Sequence, residues 1–158
     1  MPSINATPKR FTAGSVVTIN NGTTTWTHLN FKESGGSYKY SPGYYEPIQY
    51  KDRGVLKTPL LGDQRPGKLD LEFVYAGWQD TNDIPAFMLA TSSTGNMPLF
   101  TVVTKIPSYN GSSTGEQLTY ASCFLAADGI GYEEGGGGLD MLKLSLIHNE
   151  VKPTATTY

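Results

Sequence analysis

The sequence predicts a mainly β fold, a β-sandwich or open barrel with one short flanking α-helix and a long inter-strand loop. Three observations carry that prediction. Apolar residues recur mostly with period two, turn residues cut the chain into short segments, and Gly (18), Thr (18) and Tyr (10) take the place of Leu-rich helical composition. The 158 residues suit one domain with a real core. Charged residues are only 16% of the chain, against roughly 25% in ordinary globular domains. At 38% hydrophobic residues the chain can bury a core, which excludes global disorder. No apolar run approaches the roughly 20 residues of a membrane span, and no secretory apolar segment opens the sequence, so the expectation is a protein made in the cytoplasm with no membrane partner. A single Cys excludes a disulfide framework and a multi-thiolate zinc site. The net charge of −2 argues against a basic, DNA-coating surface.

Taken in order, residues 15–20 (SVVTIN) read as a strand, and Asn20-Asn21-Gly22-Thr23 is a tight-turn signal. Residues 25–31 alternate again, so the two segments form a hairpin. Residues 34–67 hold five tyrosines, four prolines and scattered basic residues. Short strands are expected there near 47–50 and 55–60, outside any compact core. Residues 68–75 alternate cleanly, with Leu69, Leu71, Phe73 and Tyr75 on one face and Lys68, Asp70, Glu72 and Val74 on the other. Asp83 is placed to cap a short helix, with Pro85 in its first turn and Ile84, Phe87 and Met88 at i, i+3 and i+4. Strands follow at 98–106, 116–126 and 139–149. The domain therefore spans 1–150, with 34–67 as a long insertion and 151–158 as a flexible C-terminal tail.

Charge is unevenly spread. Up to Pro66 there are eight basic and four acidic residues, and from Gly67 onward four basic and ten acidic. If the halves map to faces, the resulting complementary patches favour head-to-tail self-association.

Motifs of chemistry fail on context. Gly111-Ser112-Ser113-Thr114-Gly115 fits G-x-S-x-G, with Asp128 or Asp140 and His148 following in hydrolase order. It sits in a polar loop between strands, however, and no parallel sheet is present to carry a nucleophile elbow. Gly129-Ile130-Gly131-Tyr132-Glu133-Glu134 approximates a dinucleotide loop, but its two carboxylates would repel a pyrophosphate, so it reads as a flexible acidic loop. Asp80-Thr81-Asn82-Asp83 starts like a calcium loop and then has Pro85 and Thr91 where Gly and Glu belong. His28 and His148 read as ordinary strand residues, and Cys123 as inert core. No enzyme, cofactor or metal site is expected.

The distinctive part is the middle of the chain: Trp26-x-x-Leu29-x-Phe31-x-Glu33-Ser34, the Tyr-rich stretch, Tyr50-Lys51-Asp52-Arg53-Gly54, and Leu61-Gly62-Asp63-Gln64-Arg65-Pro66-Gly67 leading into Leu69-x-Leu71-x-Phe73. In order and spacing, over roughly 15–149, this resembles the major tail tube proteins of long-tailed, non-contractile bacteriophages. The tube subunit of type VI secretion is the neighbouring alternative in fold. The resemblance implies hexameric rings stacked into a virion tail tube, put together in the bacterial host cytoplasm and used for viral DNA ejection. It further implies tail tip, tape measure and tail terminator proteins as partners, with double-stranded DNA passing non-specifically. Four strands per subunit would close the inner barrel, and the insertion would reach a neighbouring ring.

On that reading Tyr38, Tyr40, Tyr44, Tyr45, Tyr50, Asp52, Arg53, Asp63 and Arg65 are the expected inter-ring contacts. Lys68, Asp70 and Glu72 are the expected lumen residues, a negative wall that lets phosphates slide. The competing reading is a sugar- or ligand-binding β-sandwich with Tyr44, Tyr45 and Trp78 as its platform.

Overall fold

The computed structural model describes residues 16–28, 37–74, 96–106, 115–133 and 141–157. All regular structure among them is strand: β1 (Val16–Asn20), β2 (Thr25–His28), β3 (Ser37–Ser41), β4 (Tyr44–Ile48), β5 (Lys51–Asp52), β6 (Val55–Leu56), β7 (Leu60–Arg65), β8 (Gly67–Val74), β9 (Phe100–Ile106), β10 (Glu116–Glu133), β11 (Met141–His148) and β12 (Thr154–Thr157). The mainly β, sandwich-like class expected from periodicity is what the chain adopts. The helix expected from Asp83, the G-x-S-x-G loop at 111–114 and Trp78 lie outside the described residues.

Eight strands form one antiparallel sheet in the order β2-β1-β9-β10-β11-β8-β3, with β12 added on β10. The hairpin β1–β2 closes as its sequence demands. Asn21 accepts the Thr23 and Thr24 amides on its Oδ1, at 2.9 and 2.7 Å, and Gly22 takes a φ of 94°.

The 18-residue β10 organises the rest. Its first residues pair with β9 and β12, its later ones with β11. Register shifts fall between Tyr120 and Cys123 on the β9 side and between Leu125 and Ile130 on the β11 side. Ser122 and Asp128 sit at those shifts with φ of 55° and 54°, the left-handed geometry of bulges that bend a strand. The bends fold the sheet over on itself. Trp26 of β2 thereby reaches Phe73 of β8, and Tyr40 of β3 reaches Tyr120 of β10, with ring centroids 4.9 and 4.8 Å apart. Between the layers lie Val17, Ile19, Leu69, Leu71, Phe73, Phe100, Val102, Leu142, Leu144 and Leu146, all essentially without solvent contact.

Three sequence expectations need correction. Residues 129–133 are not a flexible loop but the end of β10. Ile130, Gly131, Tyr132 and Glu133 pair with Leu144, Lys143, Leu142 and Met141, and Ile130 packs on the core. The glycines masked an alternation that a single Ile carries. Within 151–158, Thr154–Thr157 is not a loose tail, since it pairs with Glu116–Thr119 and continues the line of β11 along β10. Its side chains are exposed on both faces, so no apolar pattern announced it, although Thr is a good strand former. Finally, residues 37–41 of the insertion belong to the main sheet. Tyr38 and Tyr40 pair opposite Leu71 and Leu69 and pack, partly buried, against the core rather than standing outside it.

Candidate functional site

Two surfaces and one buried cluster stand out. The first surface is an arm. After β3 the chain leaves the sheet as the ribbon β4–β7, extended by the two-residue-paired hairpin β5–β6, and returns at β8. Arg53 and Gly54 turn the tip with φ of 51° and 81°, the pair of positive values that a tight hairpin requires.

Apolar side chains cover this ribbon, and among the described residues no core lies beneath them. Tyr44, Tyr45, Ile48, Tyr50, Val55, Leu56, Leu60 and Leu61 are all exposed, Leu56 at 64% and Leu61 at 76%. A two-stranded ribbon alone is marginal in water, and a patch of this kind on a soluble chain marks a contact surface. Of the contact residues expected from sequence, Tyr44, Tyr45, Tyr50, Asp52, Arg53, Asp63 and Arg65 lie on the arm. The sequence reading passed over its aliphatic members. Arg65 Nε donates to Glu46 Oε1 at 2.7 Å across the ribbon, and this bond holds the Glu46 carboxyl below its usual range.

The second surface is the face of β8 opposite the core. Leu69, Leu71 and Phe73 are buried, so Lys68, Asp70 and Glu72 point outward together, as the alternation demands. The sheet brings β3 and β11 alongside: Lys39 pairs opposite Asp70, and Lys143 and Ser37 opposite Glu72. Ser145 donates to Asp70 at 2.6 Å and Ser37 to Glu72 at 3.2 Å, while Lys143 binds Glu133 at 2.8 Å. That contact lowers the Glu133 carboxyl and raises the Lys143 amine. The expected negative wall is therefore balanced: Lys39, Lys68 and Lys143 against Asp70, Glu72 and Glu133.

The buried cluster lies at the root of the arm. His148, fully buried at the end of β11, accepts or donates at Nδ1 to the Tyr40 hydroxyl at 2.8 Å. Its Nε2 faces Glu150 Oε2 at 3.6 Å and makes no hydrogen bond. Burial lowers the His148 pKa, and Glu150 opposes the shift. Cys123, free and buried beside Tyr120, has its thiol pushed up to about 12 by burial, the inert core residue expected. Among the described residues no group of three or more His, Cys, Asp or Glu could hold a metal ion.

Comparison with known proteins places this geometry in a class. No family model matches the sequence, and no curated protein matches it. Solved structures do. A chain of the six-fold symmetrised baseplate of the anti-feeding prophage superposes with a TM-score of 0.59 at 14% identity, covering 97% of this chain and 97% of that one. A chain of the sheath–tube complex of PVC, an extracellular contractile injection system in its extended state, gives 0.59 at 9% identity, covering 98% and 93%. The fold is thus one shared with a chain of the anti-feeding prophage baseplate and with a chain of a contractile injection system's sheath–tube complex.

Proposed function

We propose that the chain is a structural, non-enzymatic subunit of a tail-like tube, assembling as hexameric rings that stack through the arm and enclose a bore for double-stranded DNA. The observation that carries this reading is the arm: eight exposed apolar residues on a ribbon that no layer among the described residues covers. Cover from another subunit removes that exposure at once. Open edges support the lateral contact, since among the described residues β2, β3 and β12 each pair on one side only. Joining unlike edges of successive copies is a heterologous contact, the kind that makes a ring when the rotation between copies closes. The tail-like fold of the baseplate and sheath–tube chains agrees with this role. A place in the tail of a virion, and contacts with tail tip, tape measure and tail terminator proteins, belong to the same reading.

Negative-stain microscopy of the concentrated protein, paired with size-exclusion chromatography, tests it. Rings or tubes are expected. A protein that stays monomeric at high concentration, alone and with initiating tail-tip partners, overturns the proposal and leaves a ligand-binding sandwich as the better reading.

A further inference from the structure

We propose that Tyr40, His148 and Glu150 form a proton-operated latch at the root of the arm, in which neutral His148 holds the root packed and protonated His148 loosens it. The latch is a property of the single subunit. Its effect on assembly rests on the arm being the stacking contact.

The geometry ties four segments together. Gly67 opens β8 where the arm ends, and a Cβ there would lie 2.7 Å from the Tyr40 hydroxyl, so Tyr40 presses directly on that backbone. Gly43 precedes β4 where the arm begins, and its N–H donates to the Val151 carbonyl at 3.0 Å. A Cβ on Gly43 would lie 2.5 Å from the Arg65 carbonyl oxygen and 3.1 Å from that of Glu150. Entry strand, exit strand, Tyr40 and the turn after His148 therefore touch in one place. An open cleft of about 740 Å³ between Tyr45 and Gln64 of the arm and the segment 149–155 leaves that turn room to move.

Hydrogen-bond counting supplies the switch. A bare Nε2 lone pair facing the Glu150 carboxylate at 3.6 Å would be repelled, which favours the neutral tautomer with the ring proton on Nε2 and the Tyr40 O–H donating to Nδ1 across 2.8 Å. A second proton on the ring must go to Nδ1, which then becomes a donor. Tyr40 can no longer donate there and has to turn its hydroxyl hydrogen elsewhere. The imidazolium also attracts the Glu150 carboxylate, which is half-exposed and able to swing. Drawing Glu150 inward moves the turn that carries the Val151 carbonyl, and with it a backbone tether of Gly43.

The other titratable groups facing the ring do not compete. Tyr40 on β3 and Tyr120 and Cys123 on β10 all have burial-raised pKa values and stay protonated in this range. The β8 residue beside the cluster, Gly67, has no side chain.

The test is heteronuclear NMR of the unassembled full-length chain between about pH 8 and about pH 5, the range in which histidine titrates. The His148 ring resonances and the Gly43 amide should shift with one shared midpoint. The amides of residues 43–46 and of Gln64, Arg65 and Gly67 should exchange about tenfold faster below it, after correction for intrinsic rates. His148→Gln, which keeps a partner for Tyr40, should abolish the pH dependence. Glu150→Gln, an exposed change that leaves the core intact, should lower the midpoint. A His148 that titrates while Gly43 stays still overturns the latch, and so does a His148 that stays neutral until the chain unfolds. Because these are subunit measurements, a chain that never forms tubes counts against the assembly reading alone.

Discussion

Trp26 of β2 meets Phe73 of β8 edge-on, with ring centroids 4.9 Å apart and planes at 80°. The two strands stand first and sixth in the sheet order, so this contact exists only because the bends in β10 fold the sheet over. Phe73 is almost wholly buried, and Phe73→Ala should cost about 3–5 kcal/mol of unfolding free energy. Trp26→Ala should cost less, because Trp26 is only partly buried. Urea titrations of both single variants and the double variant measure the coupling. Edge-to-face pairs contribute about 0.5–1.5 kcal/mol beyond burial, so strictly additive losses would mean the rings are merely adjacent.

A second prediction concerns the arm. Leu56→Lys with Leu61→Lys changes two of the most exposed apolar residues in the chain, and neither touches the core cluster. The melting temperature of the monomer should move little, as surface changes usually fall within about 0.5 kcal/mol. Rings and tubes should be lost or sharply reduced under electron microscopy. Unchanged tubes would remove the arm from the assembly.

What was legible in the sequence follows from which faces are buried. The alternation of β8 could be read because one face is apolar and the other charged, and a slip of one residue would expose Leu69, Leu71 and Phe73. The arm could not be parsed as four short strands, because both of its faces are exposed and no alternation survives. Tyr38 and Tyr40 read from sequence like the other tyrosines of the insertion, since a tyrosine ring suits a core or an interface equally well. Position 148 gave no hint of its role. The partner of His148 lies 108 residues away, and only sheet closure brings Tyr40 against it. The balanced charge around Asp70 was equally invisible, because Lys39 and Lys143 arrive from strands whose neighbours the sequence does not announce.

The His148 environment sets the sign of a third prediction. Its folded pKa is lowered by burial, so the unfolded chain binds more protons than the folded one once the pH drops below the ordinary histidine value. Stability should therefore fall as the pH passes below about 6.5 and level off only beneath the depressed folded value. His148→Gln should flatten this part of the profile. Urea midpoints at about pH 7.5 and about pH 5, compared between the two proteins, check it. An identical acid loss in the variant would assign the effect to other groups.

The last prediction concerns the bore. Asp70 and Glu72 lie on the face opposite the core, hydrogen-bonded by Ser145 and Ser37 and flanked by Lys39 and Lys143. If this face lines the tube, the wall is charge-balanced, and phosphates find neither a strong attraction nor a strong barrier. Changing both carboxylates to Lys leaves five lysines against Glu133 alone, four added positive charges beyond the present balance in every subunit. The core-facing residues are untouched, so folding and ring formation should survive with a modest loss from the missing serine bonds. DNA, however, should now be held along the whole bore. Its release from particles carrying the double variant should slow or stop, and the defect should be worst at low salt, where screening reaches roughly 30 Å at 0.01 M against 8 Å at physiological ionic strength. Normal release at low salt would move Asp70 and Glu72 to the outside of the tube, and the same double variant should then alter contacts between subunits or with an outer layer instead.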